Sequence, residues 1–152
     1  MRKYMCIFVP LVFAGALRAE DPFTGTWKLD KAQSTGDAIP RDETVVILDT
    51  GNTVHVTVKG TDADGMPITI TYVVPMAGGD GQISQGPYDA VSETQVNDNT
   101  RDVTYGQKGK RSKHHQVVSK DGKTMTVTNS GQDAHGNSVD STEVYHKADN
   151  TH

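Results

Sequence analysis

Residues 53–74 read TVHVTVKGTDADGMPITITYVV. Val54, Val56 and Val58 alternate with polar residues, and Met66, Ile68, Ile70, Tyr72 and Val74 do the same after the glycine-rich link. Apolar side chains at every second position bury one face of a strand and leave the other in water, so the stretch predicts two strands. Between them, Asp62, Asp64 and Gly65 form the opening half of a calcium-loop pattern. A calcium site needs six to eight oxygen ligands, and no glutamate follows Gly65 at the required distance. The stretch therefore reads as a turn, with glycine for a positive φ and aspartate bonding backbone amides two residues on.

The same grammar runs along the chain. Candidate strands are Phe23–Leu29, Glu43–Leu48, Tyr88–Val96, Asp102–Gln107, Ser112–Ser119, Thr124–Thr128 and Val139–His146. Turn signals separate them at 50–52, 97–99 and 120–122. No apolar stripe of helical period occurs, and Lys31–Thr35 offers one helical turn at most. Ser34–Arg41 and Met76–Pro87 read as loops. These signals predict an all-β chain, a single antiparallel up-and-down β-barrel of about 8–10 strands.

A shift of 71 residues aligns Thr44–Val74 with His115–Tyr145 without a gap, at 11 identities in 31 positions. Val46/Val117, Thr57/Thr128, Gly60/Gly131, Asp62/Asp133 and Gly65/Gly136 are among them. The expectation is an internally repeated three-stranded meander whose second copy exchanges Asp64 for His135.

The N-terminus, MRKYMCIFVPLVFAGALRA, has a basic start, an apolar run from Tyr4 to Ala16 and small residues beyond. It reads as a signal peptide over 1–19, cleaved after Ala16 or Ala19, followed by one barrel domain over 20–152. The apolar run is too short to span a bilayer, so no stable membrane insertion is expected after cleavage. Removal of 1–19 leaves 12 basic against 19 acidic residues, a formal charge of −7, and removes Cys6, the only cysteine. An acidic chain argues against nucleic acid as a partner. Secretion or a periplasmic location is expected, as a monomer and with no cofactor.

Chemistry-bearing motifs are sparse. His114 and His115 are adjacent, so in a strand they face opposite sides and cannot chelate one ion. No metal site is expected. Asp89 and Glu93 share one face of a candidate strand and offer an acid–base pair at a barrel mouth. Lys108, Lys110, Arg111 and Lys113 mark a charged hairpin end.

Gly25-Thr26-Trp27 within DPFTGTWKLD resembles the N-terminal G-x-W signature of lipocalins and related calycin barrels. The chain more closely resembles small secreted bacterial proteins of lipocalin-like type. They share its GTWKL start (25–29), GTDADG (60–65), VSKDGKTMTVT (118–128) and terminal VY (144–145). The resemblance implies a lipocalin-like barrel; where lipocalins set an arginine over the tryptophan, this tail offers Lys147.

The expected function is binding of a small hydrophobic or amphipathic molecule by an exported carrier or sensor, without catalysis. Candidate ligand-binding residues are Trp27, Val54, Val56, Ile68, Ile70, Tyr72, Met125 and Val127. The alternatives are an envelope protein-binding module acting through the 76–87 loop, as an inhibitor or adhesion factor, and an enzyme using Asp89 and Glu93.

Overall fold

A computed structural model describes residues 21–149. The expected signal segment lies outside the described residues. Nine long strands form in the expected places: β1 (Gly25–Leu29), β3 (Asp42–Asp49), β4 (Thr53–Thr61), β5 (Pro67–Pro75), β8 (Ala90–Asn97), β9 (Thr100–Gln107), β10 (Lys110–Val118), β11 (Thr124–Gly131) and β12 (Ser141–Lys147). Three short ones add to them: β2 (Thr35–Gly36), β6 (Gly79–Asp80) and β7 (Gln82–Gln85). The one helical element described is a single 3-10 turn over Lys31–Gln33, whose Gln33 amide donates to the Asp30 carboxylate at 3.3 Å.

All pairings are antiparallel, in the order β6-β8-β9-β10-β11-β12-β1-β3-β4-β5-β7, with β2 added beside β12. Successive long strands are sheet neighbours except β5 and β8, and β1 sits between β12 and β3 and so joins the two chain ends. The result is a nearly closed up-and-down barrel.

The seam lies between β5 and β8, and here the structure corrects the sequence reading. The segment 76–87 is not a free loop. Its β6 pairs with β8 and its β7 with β5. Gly81 crosses between them, its amide donating to the Val91 carbonyl at 2.9 Å. Strand edges left open would expose unpaired amides, and these two short strands cover them. Their sequence carries one core-packed apolar residue, Ile83, so no alternation announced them.

Two meanders, β3-β4-β5 and β10-β11-β12, occupy the segments related by the 71-residue shift. Their second hairpins share one register: Val56↔Tyr72 and Thr57↔Thr71 correspond to Val127↔Glu143 and Thr128↔Thr142. Their first hairpins do not. Val46 faces Thr57, whereas Val117 faces Thr126, two residues from the shifted partner. The strand pairing therefore corresponds in one hairpin and is slipped in the other, so the expected three-stranded repeat is not confirmed.

One end of the barrel is plugged. Phe23, Trp27, Val54, Val74 and Val103 are fully buried there. Trp27 donates its indole N–H to the Phe23 carbonyl at 2.8 Å, and Lys147 Nζ lies 5.2 Å from the centroid of its ring. Lys147 thus takes the position over the tryptophan that the lipocalin resemblance assigns to arginine. Arg101 covers Phe23 at 4.2 Å and is itself held by Asp21, by Glu93 at 3.4 Å and by Gln95 at 2.8 Å. A buried guanidinium is tolerated because carboxylates and an amide surround it.

Candidate ligand cavity

Inward residues gain exposure along the strands in a common direction. On β4, Val54, Val56 and Val58 are 0, 4 and 7% exposed; on β11, Met125, Val127 and Asn129 are 1, 4 and 5%. On β5, Val74 and Tyr72 are buried while Ile70 and Ile68 are half-exposed. The barrel therefore opens at the end opposite Trp27. A cavity of about 760 Å³ occupies that half.

The mouth is framed by the two aspartate–glycine loops, with residues 37–40 and 87–88 between them. The loops are built alike. Asp62 Oδ1 accepts from the amides of Asp64 and Met66 at 2.9 and 2.8 Å, and Asp133 Oδ1 from those of His135 and Asn137 at 2.9 Å each. The aspartates hold the turns, as the turn reading expects. Gly60 and Gly131, one turn earlier, admit a neighbouring carbonyl. A Cβ at either would lie 2.1 Å from the Asp42 oxygen or 2.3 Å from that of Arg111.

The structure brings together Val56, Ile68, Ile70, Tyr72, Met125 and Val127 on the cavity wall. It places Trp27 and Val54 elsewhere, in the plugged end. Both face inward, but strand alternation assigns a face and says nothing of depth along the barrel axis. Asp89 and Glu93 are not brought together either. Asp89 is exposed beyond the mouth end of β8, whereas Glu93 is buried against Arg101 toward the plugged end. Four residues of strand separate them by roughly 13 Å.

The wall also holds residues that sequence reasoning missed. Tyr145, on β12, lies 2.7 Å from a Glu43 oxygen and 2.8 Å from a Glu143 oxygen. Its one hydroxyl proton serves one carboxylate at a time, so the trio is most stable with one carboxyl protonated. Burial, then the Glu143 charge, pushes the Glu43 carboxyl up to about 7. Burial likewise raises Glu143. Beside them Asn129 donates from Nδ2 to Ser141 Oγ at 3.0 Å, and Ser141 donates on to the Val139 carbonyl at 3.0 Å.

A second group is aromatic. Tyr88 stacks on Tyr105 at 4.9 Å, and Tyr72 and His114 meet Tyr105 edge-on at 5.6 and 4.8 Å. Burial pushes His114 down to about 4, so its imidazole is neutral at physiological pH. The adjacent His115 points the other way, to Asp102 at 2.6 Å.

One signal could have found the polar wall. In the matched hairpins, inward Val58, Ile70 and Tyr72 of β4–β5 correspond to Asn129, Ser141 and Glu143 of β11–β12. The apolar wall of the cavity and its polar wall are thus equivalent positions of two similar hairpins.

No protein-family model matches the chain. No curated protein matches it either. Solved structures do. The chain is similar to a fatty-acid-binding protein of Schistosoma mansoni solved with arachidonic acid, at 15% identity and a TM-score of 0.55 over 84% of this chain and 97% of that one. It is similar to fatty-acid-binding protein 1 of Echinococcus granulosus at 13% and 0.53, over 84% and 98%. A point variant of the fluorescent protein UnaG gives 14% and 0.51, over 84% and 97%. At these identities the likeness is one of fold: a calycin-type barrel.

Proposed function

We propose that this protein binds a small apolar or amphipathic molecule non-covalently inside the barrel, as a carrier or sensor. The observation that carries the reading is the cavity of about 760 Å³, walled by Val56, Ile68, Ile70, Met125 and Val127 and open at one end. A space of this size lies in the range of small-molecule sites, and apolar walls with a few convergent polar groups are their usual composition. Two similar barrels are named for fatty-acid binding, which agrees with the reading at the level of fold. In this reading residues 1–19 direct export, so the ligand is met in the periplasm or the medium. A secreted form whose mass begins after Ala16 or Ala19 is the expected result of intact-mass measurement.

The test of binding is native mass spectrometry of protein purified from its own compartment, with calorimetric titration of n-decanol. A retained small molecule, or saturable decanol binding that Ile70→Trp weakens by narrowing the cavity, is the expected outcome. Decanol binding untouched by that substitution would place the ligand outside the barrel.

A further inference from the structure

The cavity wall is rich in acids. Asp37, Glu43, Asp62, Asp64, Asp133 and Glu143 line it, and among the described residues no lysine or arginine does; its basic groups are the imidazoles of His114 and His135. Arg41 and Lys110 stay outside it, against Gly65 and Gly136 of the two mouth loops. Arg101 and Lys147 belong to the plugged end, behind the rings of Phe23 and Trp27. His114 is neutral. An anionic head entering this space meets acceptors of its own sign, with no lysine or arginine on the wall to offset them.

A second observation, independent of the acids, points the same way. Asn129 is 95% buried on the cavity wall, and its Oδ1 has no hydrogen-bond partner. Its amide nitrogen donates to Ser141, whose own proton goes to the Val139 carbonyl, so the oxygen remains an acceptor, with the cross-strand His114 as its near neighbour. Buried acceptors left unpaired are costly, and native interiors rarely keep them. Glu43 and Glu143 add further acceptor sites once an incoming cation replaces the proton they otherwise hold, since Tyr145 supplies one proton to two carboxyls. This wall therefore calls for several N–H donors and a positive charge. An ammonium group brings three donors and no acceptor; a hydroxyl brings one; a carboxylate brings none.

We propose that the cavity selects amphipathic amines, the protonated nitrogen seated against Glu43, Glu143 and Asn129 and the apolar body lying along Val56, Ile70 and Met125. The proposal rests on the reading of the cavity as a binding site and names the head group it takes. It also separates this chain from its fatty-acid-binding structural neighbours, whose fold it shares. The same barrel can carry the opposite preference because inward positions are set by side chains, not by topology.

Calorimetric titration of the purified protein at neutral pH with n-decylamine, n-decanol and decanoate, each below its micellar concentration, tests it. The three share one alkyl chain and differ in head-group charge. Decylamine is expected to bind at least tenfold tighter than decanol, with decanoate weakest. In Glu43→Gln and Glu143→Gln, checked for folding by circular dichroism, the ratio of decylamine to decanol affinity should shrink. An advantage below tenfold in the unaltered protein, or decanoate binding as tightly as decylamine, overturns the amine assignment and leaves the cavity reading standing. An advantage undiminished in folded variants overturns the seat. Binding of none of the three overturns the assignment together with the reading beneath it.

Discussion

Glu43 is the residue on which pH acts most directly. It faces Glu143 and Tyr145 across β1 and has Asp42 beside it, and its carboxyl ionises near 7 in the folded barrel against 4.5 for the free group. Below about 4.5 both folded and unfolded chains hold the proton, and the group leaves stability unchanged. Between 4.5 and 7 the unfolded chain ionises first, so stability falls as pH rises, and above 7 the loss is complete. Urea denaturation at about pH 5 and pH 8 should show Glu43→Gln retaining ~2 kcal/mol that the unaltered protein loses. Parallel pH slopes for the two proteins would contradict the burial of this carboxyl. Trp27 makes the opposite case, a residue with a large structural role and no place on the cavity. Trp27→Phe removes the N–H bond to the Phe23 carbonyl and leaves a small void, at a cost of about 2–4 kcal/mol. Its decanol affinity, measured by calorimetry on folded variant, should be unchanged. A tenfold loss would put Trp27 on the ligand's path.

At the scale of elements, barrel closure depends on a segment with hardly any hydrophobic signal. β6 and β7 hold the seam because Gly81 threads between the edges of β5 and β8. A Cβ there would lie 2.4 Å from the Val73 carbonyl oxygen and 2.5 Å from a Val74 methyl. Gly81→Val should therefore force the edges apart and cost about 1–3 kcal/mol, read as a lower urea midpoint. Faster hydrogen exchange at the Gly81 and Val91 strands would locate the damage; an unchanged midpoint would show the seam to be loose already. The long strands were legible because β4 and β5 alternate cleanly and the others, β10 (KRSKHHQVV) included, lie between turn signals and hold five or more residues. The short ones were not, since two to four residues cannot display a period and their pairing depends on edges supplied by distant strands. Similarly, the slip of two residues between the β3–β4 and β10–β11 hairpins arises in their 50–52 and 119–123 turns, where a gapless alignment has nothing to register.

For the molecule as a whole, occupation of the proposed cavity would be linked to folding. A ligand that binds only the closed barrel stabilises it by about 2.7 kcal/mol when present at a hundred times its Kd. Decylamine should accordingly raise the melting temperature in proportion to the logarithm of its concentration, and Ile70→Trp should lessen that rise. A rise undiminished in Ile70→Trp would mean stabilisation from a surface site. What the sequence by itself determined here is local: the two-residue period of the strands, the aspartate–glycine turns, and that Val56 shares a face with Val54 and Val58 and Ile70 one with Ile68 and Tyr72. These follow from backbone geometry and nearest neighbours, which a linear text records. Only the tertiary structure decided that Trp27 and Val54 plug one end while Ile68 and Ile70 flank the open one. It alone joined Glu43 to Glu143 through Tyr145, from positions about a hundred residues apart, and set Asn129 beside them. Depth along a barrel axis, charge proximity and desolvation are properties of distance through space, and alternation along a strand does not encode them.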